Sequence, residues 1–270
     1  MINLNDYKNY LLRKESADST IKGYLGDLKQ LNEFAKVNHH EALSFELMRD
    51  YKRYMISVMN YKTSTINHKI IVFSTFFNYL EKVNTSIRAS DYKVKRVNVQ
   101  NSNGREYLVE DEYNSLLMVC HHPETRMLMK LIARTGLRIS EALALTKESI
   151  SPIEILITNK GKTRVIGMSD DLKDELREFF IQRGETERMF SFSQTTYRNH
   201  MKKAARVCEV KEDKVYPHAF RHYFAKSFLK NSKDERALSM LQAILGHSDI
   251  KTTMLYLQFN NSELAEIMMV

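Results

Sequence analysis

Apolar residues recur at helical spacing through the first third of the chain. Leu4, Tyr7, Tyr10 and Leu11 form one stripe. Tyr24, Leu28, Leu31 and Phe34 form a second, behind an Asp18-Ser19-Thr20 cap signal. Phe45, Met48, Tyr51, Tyr54, Met55 and Val58 form a third, and Ile66, Ile70, Phe73 and Phe77 a fourth, behind Thr63-Ser64-Thr65. Such spacing keeps each set on one face, and Ser, Thr and Asp before it are favoured cap residues, so four amphipathic helices are expected over residues 1–85. From about Val83 the periodicity dissolves into Asn, Ser, Lys and Arg, ending in Gln100-Asn101-Ser102-Asn103-Gly104. Residues 86–104 are therefore expected to be a basic linker, with Lys93, Lys95 and Arg96 available to a phosphate backbone.

Helical periodicity resumes in a second domain, residues 105–270. Helices are expected at about 110–121, 123–134, just after Gly136, 170–182, 194–209, 218–230, 236–245 and around Tyr256. One stretch breaks the rule: Ile153, Ile155 and Ile157 alternate with other residues, and Thr163, Val165 and Gly167 follow Asn159-Lys160-Gly161. This is the one clear strand signal, a β-hairpin with a Gly-containing turn. The chain is thus mainly α with a small β-hairpin in its C-terminal domain, and no internal repeat is apparent.

Composition agrees with a helical, two-domain protein. The 270 residues include 3 Pro and 8 Gly, and 43% are hydrophobic, enough for a substantial core. A formal net charge of +8 favours a polyanionic partner, since each neutralised phosphate releases counterions. Residues 1–90 carry 13 basic against 9 acidic residues, and 91–104 carry 3 against 1. Residues 105–270 carry 25 against 23, so the excess sits in the N-terminal part and the connector. Cys120 and Cys208 are too few for a disulfide framework and read as reduced thiols. The N-terminus has no signal-peptide pattern and no apolar run is long enough to span a bilayer, so a soluble, cytoplasmic protein is expected.

The chemistry-bearing residues cluster late. Pro217 suits a first helical turn, and His218 and Arg221 then share a face, pairing proton transfer with anion stabilisation. Arg138, just after Gly136, has Glu141 three residues on, placed to orient it. Lys160 sits at the hairpin tip, where a mobile ammonium could serve as a general acid; Lys162 and Arg164 compete for that role. His247 and Tyr256 are nine positions apart, on opposite sides of any continuous helix at about 100° per residue. They can cooperate only if the helix breaks, and Gly246 with the Ser248-Asp249 cap signal supplies the break. Tyr216 and Tyr223 are rival phenols, Tyr223 reading better as core.

Together these residues resemble the tyrosine recombinase or phage-integrase family over nearly the whole chain. Arg138 in Thr135-Gly136-Leu137-Arg138-Ile139-Ser140-Glu141 matches the first catalytic arginine, and Lys160 the hairpin lysine. His218 and Arg221 match the paired motif, His247 the histidine after Leu245-Gly246, and Tyr256 the nucleophile. The turn is one residue shorter than the common family form, which keeps Lys162 in contention. The resemblance implies a helical core-binding domain of SAM-like fold and a catalytic domain, forming a clamp around duplex DNA in a two-domain, Xer-like layout without an arm-site domain. It implies site-specific cleavage and rejoining through a 3′-phosphotyrosyl intermediate, for integration, excision or resolution, as of a mobile element. No cofactor and no metal are implied; Lys162 and Arg164 join Lys93, Lys95 and Arg96 as DNA contacts. The implied partners are DNA sites with inverted repeats and a homotetramer, with tail residues 263–270 docking on a neighbouring protomer. A type IB topoisomerase-like strand transferase and an inert DNA-binding regulator on the same scaffold are the alternatives.

Overall fold

The computed structural model describes residues 4–98, 106–146, 154–159, 162–184 and 188–257. The chain divides into two compact units, Met1–Ser102 and Asn103–Val270. In the first, the four expected helices are α1 (Leu4–Arg13), α2 (Asp18–Val37), α3 (Phe45–Ser57) and α4 (Thr63–Val83). Their apolar stripes meet in one core, with Tyr7, Leu28, Leu31, Met48, Met55, Phe73, Phe76 and Phe77 essentially inaccessible. Ser44 caps α3, its hydroxyl accepting from the Leu47 amide at 3.1 Å. The other two caps fall one residue earlier than the sequence suggested. Ala17 and Lys62 occupy the cap positions in extended conformation without side-chain caps, and Asp18 and Thr63 are already helical.

Part of the expected linker, residues 89–97, packs on the first unit. Ala89–Tyr92 forms a 3-10 turn that packs on α4, and Ala89, Tyr92, Val94 and Val97 bury apolar surface against the first core. Asn67 fastens this strap from both sides, its amide donating to the Val97 carbonyl at 2.9 Å and its carbonyl accepting from the Val97 amide at 2.8 Å. Lys93, Lys95 and Arg96 remain exposed on it. Alternating small apolar residues among Lys and Arg hid this packing, because the segment is neither helical nor paired in a sheet.

Inside the first unit, Lys69 is buried with its ammonium on Asp27 Oδ1 at 2.5 Å and Gln30 Oε1 at 2.7 Å.

The second unit is built from α5 (Glu110–Val119), α6 (Pro123–Thr135), α7 (Ile139–Leu143), β1 (Glu154–Asn159), β2 (Lys162–Gly167), α8 (Asp170–Arg183), α9 (Gln194–Val207), α10 (Pro217–Asn231), α11 (Ala237–Leu245) and α12 (Ile250–Met254), the last running into a 3-10 turn, Leu255–Leu257. The buried helix α6 packs along α10, which carries His218 and Arg221. β1 and β2 pair antiparallel with Ile155 opposite Ile166 and Ile157 opposite Arg164. Since alternate residues point to one face, Ile155, Ile157, Arg164 and Ile166 share the inner side, while Leu156 and Val165 lie exposed. The inward set on β2 is therefore one residue out of step with Thr163, Val165 and Gly167.

Two glycines with left-handed backbone end the helices beside the site: Gly136 (φ +68°) after α6 and Gly246 (φ +63°) after α11. Both cysteines are free, Cys120 buried and Cys208 half-buried. None of the described helices is long and apolar enough to cross a membrane.

Removing either partner of a buried ion pair strands the other's charge, whereas replacing both partners by apolar side chains does not. Asp27→Ala is expected to destabilise the protein by about 3–5 kcal/mol and the double variant Asp27→Leu/Lys69→Met by clearly less, as measured by urea unfolding.

Candidate active site

Pro217 opens α10 as anticipated, and one turn on, Arg221 points into the protein, 3% exposed. Its Nη1 donates to the Gly136 carbonyl at 2.7 Å, and its Nη2 to the Leu245 carbonyl at 2.7 Å and to His247 Nε2 at 3.1 Å. Those carbonyls lie at the C-terminal ends of α6 and α11, where no helical amide remains to bind them. Burial first, then the neighbouring Arg138, lowers the Arg221 pKa to about 10, so the guanidinium stays charged at neutral pH.

Arg138 stands at the N-cap of α7 and Glu141 three residues later. One Glu141 oxygen accepts from the Arg138 backbone amide at 2.8 Å and the other from its Nη1 at 2.9 Å, so the pair is fixed from both ends. Arg138 Nη2 reaches the Gly246 carbonyl at 3.3 Å, and about a third of the side chain stays open to solvent. Glu141 is buried, which alone would raise its pKa; hydrogen bonds from Arg164 and Arg138 overcome this and hold it at about 2.

Arg164 departs from the expectation of a DNA contact. Its Nε donates to the Ile244 carbonyl at 3.0 Å, Nη1 to Glu141 Oε1 at 3.1 Å and Nη2 to Glu141 Oε2 at 2.7 Å. The pleat turned it inward, and these acceptors occupy its guanidinium.

Gly246 breaks the chain between α11 and α12, and the Asp249 side chain caps α12 by accepting from Lys251 N. The break folds Tyr256 back so that its ring stacks on His247, with centroids 6.2 Å apart and planes 14° apart. On its other side His222 meets it edge-on at 5.2 Å. Tyr256 is 8% exposed and packs with Ala225, Leu241 and Leu245. Arg221 lies close enough for the two groups to interact electrostatically.

The protonation of His247 follows from its neighbours. Guanidinium nitrogens only donate, so Nε2 facing Arg221 must be the unprotonated nitrogen, and Nδ1–H donates to Thr253 Oγ1 at 2.9 Å. Burial and then Arg221, Arg138 and Arg164 push the His247 pKa down to about 4, which keeps the ring neutral. His218 is exposed on the first turn of α10. Loss of solvation, then Arg221, Arg138 and Arg198, holds its pKa below the ordinary histidine value, leaving a neutral base at pH 7.

Thus Arg138, Glu141, Arg221, His247 and Tyr256 come together, with His218 one turn from Arg221. Tyr223 is packed in the core against Tyr113, ring centroids 4.7 Å apart, and Tyr216 lies edge-on to His222. Lys160 lies outside the described residues, as does the tail at 263–270; Lys162 opens β2, and its side chain is outside the description. Thr253 went unassigned in the sequence, and Arg164 was assigned there to DNA or proton transfer rather than to Glu141. Thr253 is six residues past His247 across a cap, a spacing with no periodic signature. Among the described residues no three His, Cys, Asp or Glu side chains gather as a metal site.

A phenol set beside a charged guanidinium and neutral imidazoles suits attack on a phosphodiester, and a helical fold presenting that site defines the tyrosine recombinase class. The chain belongs to the phage integrase family, whose profile matches residues 106–263, while the N-terminal SAM-like domain of phage integrases matches residues 4–84. It is 26% identical to tyrosine recombinase XerD of Vibrio vulnificus, over 93% of this chain and 88% of that protein. It is 28% identical to tyrosine recombinase XerC of Rickettsia canadensis, over 98% and 94%. Its fold matches the XerH site-specific recombinase in a post-cleavage complex with its palindromic difH substrate, at a TM-score of 0.72 and 19% identity, covering 95% of this chain and 81% of that one.

The low Glu141 pKa carries a signed consequence for stability. A carboxylate whose pKa is depressed on folding stabilises above its unfolded pKa and loses that contribution as pH falls toward the folded value of about 2. Between pH 5 and pH 3 the stability advantage of wild type over Glu141→Gln is expected to shrink by roughly 1.5 kcal/mol, read from denaturant midpoints at each pH.

Proposed function

We infer that this protein is a site-specific DNA recombinase that cleaves and rejoins duplex DNA through a tyrosine–phosphate intermediate. The observation that carries this reading is Tyr256, set against His247 and within electrostatic reach of the buried, charged Arg221. Family membership and relatives named as tyrosine recombinases across almost their whole length support it.

In this mechanism the Tyr256 oxygen attacks the scissile phosphorus. The P–O bond to the 5′-oxygen breaks, leaving a 3′-phosphotyrosyl link and a 5′-hydroxyl. His218, neutral at pH 7, takes the phenolic proton, and Lys160 or Lys162 on the hairpin gives one to the leaving oxygen. Arg138 and Arg221 stabilise the charge that grows on the non-bridging oxygens, with His247 as a third partner. The phosphotyrosyl bond retains the energy of the one it replaced, so the new strand's 5′-hydroxyl can reverse the step without a nucleotide cofactor.

The rest of the assembly follows the same reading. The two units close around duplex DNA, with exposed Lys93, Lys95 and Arg96 on its phosphates. Four protomers act on two sites built of inverted repeats, in keeping with the palindromic substrate of XerH, and tail residues 263–270 dock between protomers. The protein works in the cytoplasm, where its free thiols stay reduced.

A duplex nicked near the cleavage point, which loses its 5′-hydroxyl fragment and so traps the intermediate, tests the reaction. Wild type in EDTA is expected to form a denaturant-stable protein–DNA adduct, Tyr256→Phe none, and Arg221→Gln at least on the order of 10²-fold less per unit time. Sequence-specific binding without an adduct from wild type, whatever the position of the nick, would overturn the enzymatic reading in favour of a DNA-binding regulator.

A further inference from the structure

Arg164 is the guanidinium of this site that no catalytic role has absorbed. It belongs to the hairpin whose turn contains Lys160, and it faces inward because the strand register sets it opposite Ile157. Its side chain is 15% exposed, and its three nitrogens donate to Ile244 and to both oxygens of Glu141. Through that carboxylate it meets Arg138, which Glu141 grips by backbone amide and guanidinium. Through Ile244 it meets the end of α11, two residues before Gly246 and three before His247. A Cβ on Gly246 would stand 2.9 Å from Arg164 Nη1 and 3.2 Å from Cζ, so the guanidinium lies close against that glycine.

Resting on the recombinase reading, we propose that Arg164 is a positioning residue of the cleavage step. It locks the hairpin, the Arg138–Glu141 pair and the Gly246–His247 turn into one geometry. Only a planar fork with donors on all three nitrogens can bond a carboxylate by two edges and a carbonyl by the third at once. A lysine keeps the charge but reaches one of these acceptors at a time. Arg164 touches no DNA; it acts through Glu141 on Arg138 and through the α11 terminus on His247. Without it Glu141 retains a single arginine, the Arg138 guanidinium loses its fixed direction, and the hairpin loses its tie to the phosphate-binding groups. Small displacements of positioned groups in phosphoryl transfer cost on the order of 10²-fold in rate.

The test compares wild type, Arg164→Met, Arg164→Lys, Glu141→Gln and the Arg164→Met/Glu141→Gln double variant. DNA affinity, thermal midpoint and single-turnover adduct formation on the nicked duplex are measured separately for each. The expected result is a fall of on the order of 10²-fold in the rate for Arg164→Met with DNA affinity within about threefold of wild type. Arg164→Lys recovers only part of the rate, and the double variant is no slower than the slower single, because both substitutions break the same link. Rates for Arg164→Met within about threefold of wild type would overturn the proposal. So would multiplicative losses in the double variant, or affinity and thermal midpoint falling in step with rate, which is the pattern of a purely structural residue. No adduct from wild type would instead sink the recombinase reading and this inference with it.

Discussion

One buried carboxylate makes the site electrostatically possible. Arg138, Arg164 and Arg221 converge in a region largely withdrawn from water, where like charges repel strongly and each is costly to desolvate. Glu141, with both oxygens committed to Arg138 and Arg164, is the anion that lets them coexist. It neutralises one of the three and leaves two positive charges in excess. A phosphodiester attacked by a phenolate passes through a transition state carrying about two negative charges, so the residual charge suits the transition state better than the singly charged ground state. The imidazoles do not upset this balance, because burial and then the guanidiniums around them lower their pKa and keep them neutral.

The arginines are also held by acceptors that cost the fold nothing extra. The last carbonyls of a helix have no amide partner and carry its partial negative charge. Gly136, Ile244, Leu245 and Gly246 present such carbonyls where α6 and α11 end, and each accepts from a site guanidinium. The chain can offer them because both helices stop at a left-handed glycine. At Gly136 a Cβ would meet the Phe224 ring at 2.5 Å, and at Gly246 the Arg164 guanidinium, so neither position tolerates a side chain. The small turns that end two helices thereby do the work of aiming the charged groups.

Much of this was legible in the residues themselves. Helix existence followed from long apolar stripes, and the helix break before Tyr256 from Gly246 and Asp249, because capping and left-handed turns have local residue requirements. The core-side partner of Ile157 did not follow, because a hairpin's register depends on its turn, and Asn159-Lys160-Gly161 allows more than one pairing. The observed register sets Arg164 opposite Ile157 on the inner face, where Glu141 and Ile244 take up its guanidinium. The strap at 89–97 was missed for a related reason: its apolar residues match neither the helical nor the strand period, and only the groove beside α4 gives them a partner. Thr253 was invisible because it matters only through a histidine brought to it by a turn.

The geometry without DNA is that of a site satisfied from within. Arg221 spends its two strongest bonds on helix carbonyls at 2.7 Å and a longer one, 3.1 Å, on His247. Under the proposed mechanism an arriving phosphate oxygen has only that last bond to displace, and the carbonyls keep the guanidinium aimed while it does so. His247, released from accepting, keeps Nδ1–H on Thr253, and the phosphate's negative charge opposes the burial and arginines that had held the ring's pKa down, favouring a proton on Nε2 that can then be donated to the phosphate. In that mechanism the nucleophile Tyr256 is stacked on the same imidazole, so a group that meets the phosphate is the one against which the nucleophile rests. The substrate's charge therefore acts on the nucleophile's packing partner before any bond changes, which ties readiness to attack to the presence of something to attack.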